Sequence, residues 1–211
     1  MTVDDSVRAT REFFGPRAAT WDERFPDDGR AFQRALHDLG ARRGGRVLDL
    51  GCGTGRAFVA LRSRAGAAAS VVGLDLTPEM LDAARAAACR SSALLVLADA
   101  RRLPFRAAVF DTVFAAGLLP HLRDPVAGLA ECARIVRAGG CLALFHPIAR
   151  TTLAARHGHG LRDDDPLDPR VLPGLLARAG WQCAFVDDGD DRYLAVARRT
   201  AGALEDRQIR P

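Results

Sequence analysis

The chain has no lysine: its thirty basic residues are all arginine. That absence excludes the phosphate loop of nucleotide hydrolases, which needs a lysine to reach the phosphates. Aromatic residues other than phenylalanine are also scarce, with one tyrosine and two tryptophans. A single-stranded nucleic-acid groove interleaves basic side chains with stacking aromatics. Here the arginine pairs Arg42-Arg43, Arg101-Arg102 and Arg198-Arg199 are scattered instead. The arginine-only bias, with abundant Ala, Gly and Pro, reads as a trace of a GC-rich coding sequence, and despite the net charge of +4 no nucleic-acid partner is expected. The five cysteines, Cys52, Cys89, Cys132, Cys141 and Cys183, form no CxxC pair, which argues against a disulfide framework or a structural zinc site. No uninterrupted apolar run reaches the roughly 18 residues of a membrane span. Met1 to Asp5 lacks the basic-then-apolar order of a secretion signal. The expectation is a cytoplasmic protein with reduced thiols, a monomer or homodimer, with no membrane partner.

What is present is a regular alternation of strand and helix over 211 residues, a length that suits one domain. A head over residues 1–40 carries helical spacing at Phe32, Leu36 and Leu39, ended by Gly40. Residues 41–200 form the main domain, and 201–211 a polar tail. Strands are expected at Arg46–Leu50, Ser70–Asp75, Leu94–Leu97, Phe110–Ala115 and Cys141–Phe145. Helices are expected from Gly55 to about Arg64, from a Thr77 cap with Pro78, from Asp124-Pro125 to Gly139-Gly140, and over about Pro169–Ala179. Cys183–Val186 and Tyr193–Ala197 read as a closing antiparallel hairpin. The apolar runs are continuous rather than alternating, so the strands are buried on both faces. The fold class is α/β: a doubly wound, Rossmann-like, seven-stranded and mostly parallel sheet.

In such a sheet ligands bind beyond the carboxyl ends of the strands, where strand order reverses. The first strand ends in Asp49-Leu50-Gly51-Cys52-Gly53-Thr54-Gly55. Glycines allow sharp turns and close approach to a ligand. Twenty residues after Gly55, Asp75 closes the second strand and can accept ribose hydroxyls, while Asp99 closes the third and borders a base. The dinucleotide fingerprint needs a third glycine where this chain has Arg56. A pyrophosphate would be repelled by Asp49, whereas the ammonium of a methionine moiety would be held by it, directly or through a loop carbonyl. The charge pattern thus favours S-adenosylmethionine (SAM) over a nicotinamide dinucleotide.

Four segments in order carry a closer likeness: Val47 to Gly55, Gly73 to Leu81, Asp99 to Phe105, and Phe110 to Val113. Together they resemble the class I SAM-dependent methyltransferase family, in the style of its ubiquinone/menaquinone, small-molecule branch, over about Phe14 to Arg199. The resemblance implies that Gly51, Gly53 and Gly55, with Cys52 and Thr54 between them, cradle the methionine end. It places Asp75 at the ribose, Leu76 and Met80 at the adenosine, and Asp99, Ala100 and Arg101 at the adenine. Ala116 and His121 would lie beside the sulfonium. Phe14, Ala18, Trp21 and Asp22 resemble the family's cofactor-covering segment, so residues 1–40 are expected to act as a helical lid, with Trp21 over the cofactor and Arg17 on its carboxylate.

Methyl transfer needs alignment first, and a base only if the nucleophile must lose a proton. His121 and His146, at the ends of the fourth and fifth strands, are the candidate catalytic bases. His157-Gly158-His159-Gly160 and Asp163-Asp164-Asp165 raise a metal site, but a solvated loop is the better reading and no metal is expected. Residues 147–168 are instead expected to shape the acceptor pocket. The expected partner is a small-molecule methyl acceptor, with O-methylation favoured. The competing readings are a SAM-binding biosynthetic or regulatory protein that transfers no methyl group, and a nicotinamide oxidoreductase.

Overall fold

The computed structural model describes residues 3–24, 28–40, 44–156, 158 and 160–200. His157, His159 and the tail at 201–211 lie outside the described residues, so the metal idea placed on those histidines finds no description here.

The elements in chain order are α1 (Val3–Phe14), α2 (Gly29–Leu39), β1 (Arg46–Leu50), α3 (Phe58–Ala65), β2 (Ser70–Asp75), α4 (Pro78–Ser91), β3 (Ala93–Leu97), β4 (Phe110–Ala116), α5 (Pro125–Ile135), β5 (Val136–His146), α6 (Arg150–Arg156), α7 (Leu172–Arg178), β6 (Trp181–Asp188) and β7 (Tyr193–Arg199). The sheet order is β3-β2-β1-β4-β5-β7-β6. The first five strands are parallel, and β7 runs antiparallel to both β5 and β6. The α/β class and the closing hairpin are as expected. The chain builds outward from β1 to β3 and then returns to β4, so the carboxyl ends of β1 and β4 flank a crevice.

Burial explains the continuous apolar runs. Val47, Phe114, Ala143 and Val196 face α2, α3 and α4, with Phe32, Leu36, Phe58, Leu61 and Leu81 packed on them. Leu48, Val113, Leu142 and Ala195 face the other way, onto Leu129, Leu172 and Leu176 of α5 and α7. Trp181 is buried there, and its indole N–H donates to the Leu129 carbonyl at 2.8 Å. Among the described residues no helix is long and apolar enough to cross a membrane.

Three local expectations need correction. The helix after the glycine loop starts at Phe58, not Gly55, because Gly55 sits at φ +81, where an α-helix cannot begin. The fifth helix ends at Ile135 rather than at Gly139-Gly140, because Val136 is already extended and pairs with Phe110. Those glycines lie inside β5, where Gly140 passes so close to Asp111 that a Cβ would stand 2.8 Å from its carbonyl oxygen. Finally, Thr77 occupies the cap of α4, but its hydroxyl makes no capping bond; its amide instead donates to Asp75 Oδ1 at 2.8 Å. The polar segment after β5 also holds a helix, α6, that hydrophobic spacing did not announce.

Gly55 is required twice over. Its positive φ strains any side chain, and a Cβ there would meet the Phe58 ring at 2.6 Å. Gly55→Ala should therefore cost about 1–3 kcal/mol of stability, read as a drop of several degrees in calorimetric melting temperature. An unchanged melting temperature would contradict this packing account.

Candidate active site

At the carboxyl ends of the parallel strands the chain encloses a cavity of about 900 Å³. That lies toward the top of the roughly 300–1,000 Å³ of small-molecule sites. One end is polar and is made by β1, β2 and β3 with the loops that follow them. The other is made by the segments after β4 and β5, with α1 and Trp21 alongside, and sets apolar side chains beside Arg123, Arg150, Arg162, Asp164 and Asp165.

The polar end is organised by carboxylates. Asp49 is 1% exposed, because β1 is a central strand. Its Oδ2 has no hydrogen-bond partner among the described residues. Burial, and next the neighbouring Asp75 carboxylate, push its pKa up to about 8. Asp75 accepts from the Gly53 amide on Oδ2 at 2.9 Å and from the Thr77 amide on Oδ1 at 2.8 Å. Each oxygen keeps a lone pair for a ligand hydroxyl. Burial raises its pKa as well, against the lowering by those amides. The glycine loop turns through Gly51 at φ +70 and Gly53 at φ +53. Cys52 is buried within it, and burial, then Asp49 and Asp75, keep its thiol protonated.

The head is fastened across this end. Thr54 donates to Asp22 Oδ1 at 2.6 Å, and Arg56 pairs with Asp28. Arg11 of α1 donates to the Leu76 carbonyl at 3.0 Å, and Arg101 reaches Ser6 at 2.9 Å. Ser6, Ala9, Thr10, Phe13, Phe14 and Trp21 all line the cavity.

At the other end stand the histidines. His121 lies edge-on to Phe14, with ring centroids 5.2 Å apart. His146 is 9% exposed, and its Nδ1 faces the Ile148 carbonyl at 3.1 Å. Burial lowers its pKa to about 4, against the raising contact with Ile148 and with help from Arg156, His121 and Arg56. In the wall itself Arg150, 5% exposed, is shared by Asp165 at 2.9 Å, Asp188 at 3.2 Å and Asp168 at 3.5 Å. These contacts dock the segment after β5 onto β6. Sequence reading passed over Arg150, since nothing in a polar stretch marks one arginine as buried.

Of the residues expected at the cofactor, Trp21, Asp49, Gly51, Cys52, Gly53, Thr54, Asp75, Leu76, Met80, Asp99, Ala100, Arg101, Ala116 and His121 line this one cavity, and so does His146. Two do not. Arg17 is turned away, stacked over the Phe13 ring at 4.2 Å and donating to the Phe13 carbonyl. Gly55 faces Phe58 instead of the cavity. The head thus remains a candidate cover, but without Arg17 as an anion clamp.

The polar end fits an S-adenosyl group. A buried carboxylate lacking a donor is costly unless a cation or donor arrives, and the methionine ammonium supplies one. Asp75 suits ribose hydroxyls, and the loop leaves no Cβ at Gly51 or Gly53 to obstruct the chain. A pyrophosphate would instead bring negative charge to this acidic pair and no cation for Asp49 to ionise against.

The raised pKa of Asp49 has a stability consequence. In the cofactor-free protein the folded state retains a proton that the unfolded state releases above pH 4. Stability should therefore fall as pH rises through the window from about 4 to about 8. Asp49→Asn should flatten that fall, making the variant relatively more stable at pH 8 than at pH 5. Melting curves of the two proteins across this range check it; parallel curves would refute the buried, unpaired carboxylate.

Comparison with known proteins agrees with this geometry. The family model described as "Methyltransferase domain" matches residues 48–144. Demethylmenaquinone methyltransferase of Staphylococcus aureus (strain MRSA252) is 34% identical over 119 residues, covering 54% of this chain and 49% of that protein. The chain thus spans about half the length of the curated relatives it matches. Among solved structures, one from the complex of the Haloferax volcanii Trm112 methyltransferase activator with its methyltransferase superposes with a TM-score of 0.72 at 23% identity, over 89% of this chain and 97% of that one. A SAM-dependent methyltransferase from Aquifex aeolicus gives 0.65 at 19%, over 92% and 98%; at these identities both likenesses are of fold. Sheet order, strand-end carboxylates and family match converge on a likeness: residues 48–144 match a methyltransferase domain, and the fold is that of SAM-dependent methyltransferases.

Proposed function

We propose that the protein transfers a methyl group from SAM to a small molecule, with an acidic hydroxyl as acceptor and His146 as its base. The observation that carries this reading is the one cavity that joins the unpaired Asp49 to the chamber beside His146. SAM, when bound, supplies a methyl group already activated by its sulfonium. Asp49 would hold the ammonium, Asp75 the ribose hydroxyls, and Met80 and Leu76 the nucleoside. Phe13, Phe14, Trp21, Leu118, Leu122, Leu153 and Leu161 offer apolar walls to an acceptor, and their closure over the site would exclude water. The relative from Staphylococcus aureus is named for demethylmenaquinone, and a flat, apolar acceptor is in keeping with these walls.

The case for His146 over His121 rests on its place against Ile148, whose carbonyl lies 3.1 Å and amide 3.3 Å from Nδ1. In the tautomer whose Nδ1–H meets the carbonyl, Nε2 is the acceptor, and the low pKa keeps the ring neutral at pH 7. Such a ring is a weak base, best matched to a phenol-type proton with a pKa of about 10 rather than to an aliphatic alcohol. Release of S-adenosylhomocysteine over a panel of phenols and reduced naphthoquinones tests the activity. Retention of cofactor with no release across the panel would favour a SAM-binding protein without transfer. With an active acceptor, His146→Gln should lower kcat by about 10²–10⁴-fold while cofactor affinity holds. The acid limb of kcat/KM should lie near pH 4 rather than near 6.5. Turnover that survives the substitution removes His146 as the base.

A further inference from the structure

Arg56 follows the last glycine of the loop, where a dinucleotide fold would carry another glycine. It lies in the turn between β1 and α3, ahead of the first helical residue, Phe58. Its side chain is 16% exposed and lines the cavity with Gly51, Gly53 and Thr54. Two carboxylates from the head hold it: Nη2 pairs with Asp28, and Nε stands 3.9 Å from Asp22 Oδ1. Asp22 is fixed in turn by Thr54 of the loop. The guanidinium lies 6.0 Å from the centre of the Phe32 ring, and its charge helps to lower the pKa of His146. That charge is thus felt from the glycine loop across to His146. Four other arginines line the cavity, and each stands elsewhere. Arg101 grips Asp99 at the end of β3, Arg150 is shared by three aspartates, Arg162 pairs with Asp164, and Arg123 follows β4. Arg17 is turned onto Phe13.

We propose that Arg56 receives the carboxylate of the cofactor's methionine moiety and makes the site selective for an amino-acid tail over a plain amine. The inference rests on the reading that Asp49 holds the ammonium of an S-adenosyl ligand. Asp49 alone would accept an amine as readily as an amino acid; a second, cationic contact is what tells them apart. The five N–H bonds of a guanidinium can serve two protein carboxylates and a ligand carboxylate together, and its planar fork matches a carboxylate. Asp22 and Asp28 hold that fork in place before the ligand arrives, which reduces the ordering cost of binding.

Titration calorimetry with S-adenosyl-L-homocysteine and its decarboxylated form, S-adenosyl-3-thiopropylamine, tests this without any acceptor. Both ligands keep the adenosine and the ammonium, and only the carboxylate differs. The wild-type protein should prefer S-adenosylhomocysteine by at least about 10-fold, the lower bound for a charged hydrogen bond. Arg56→Gln should bring the two affinities within a few-fold of each other, by weakening the carboxylated ligand. Arg17→Ala should keep the wild-type preference. A role confined to fastening the head would weaken both ligands alike and leave their ratio unchanged. Melting curves establish that Arg56→Gln is folded. If it is not, Arg56→Lys, which keeps the charge without the fork, takes its place and should lower the ratio. Equal binding of the two ligands by the wild-type protein overturns the proposal. So does a folded Arg56 variant with the wild-type ratio, or loss of the preference in Arg17→Ala. Failure of the wild-type protein to bind either ligand would overturn the cofactor reading itself, and this inference with it.

Discussion

A carboxylate with nothing to bind stands at the centre of this molecule. Asp49 lies on the central strand β1, walled in by β2, β4 and the glycine loop, and no donor among the described residues reaches its Oδ2. Folding alone gives no reason for such an arrangement, since a buried carboxylate is expensive and an apolar residue at that position would pack without cost. A ligand that brings positive charge would offset that expense. The Asp75 carboxylate beside it makes the site still more hostile to phosphate and more welcoming to an ammonium.

The rest of the architecture follows from keeping that spot dry and open. The parallel strands deliver Asp49, Asp75 and Asp99 to one edge of the sheet, and reversal of strand order between β1 and β4 leaves room above them. The loop can turn tightly because Gly51 and Gly53 accept positive φ. Head and loop are then joined by side chains from distant parts of the sequence: Thr54 to Asp22, Arg11 to the Leu76 carbonyl, Arg101 to Ser6. On the acceptor side, Arg150 plays the corresponding part, drawing together carboxylates from the segment after β5 and from β6.

Much of this was legible in the sequence, for a physical reason. Strands buried on both faces print as unbroken apolar runs, and the residues just past them have to be the ligand-facing ones in a doubly wound sheet. That logic located Asp49, Asp75, Asp99 and the two histidines without any knowledge of side-chain direction. Direction is where it failed. Arg17 was expected to face inward and instead stacks on Phe13. Gly55 was expected to serve a ligand and instead makes room for Phe58. Arg150 went unnoticed, because a buried arginine depends on carboxylates up to 38 residues away, a pairing that hydrophobic periodicity does not encode. The boundary of α5 was missed because Gly139-Gly140 looks like a helix stop, whereas here it lets β5 pass Asp111.

The central claim is that the buried carboxylate at the end of β1 awaits the ammonium of an S-adenosyl ligand. Its most direct test is calorimetric titration of S-adenosylhomocysteine and of NAD, side by side, in buffers of differing ionisation enthalpy. The account predicts saturable binding of S-adenosylhomocysteine with release of a proton near pH 7, as Asp49 ionises against the incoming ammonium, and no binding of NAD. Binding of NAD in its place, or binding of S-adenosylhomocysteine with no proton released, would contradict it.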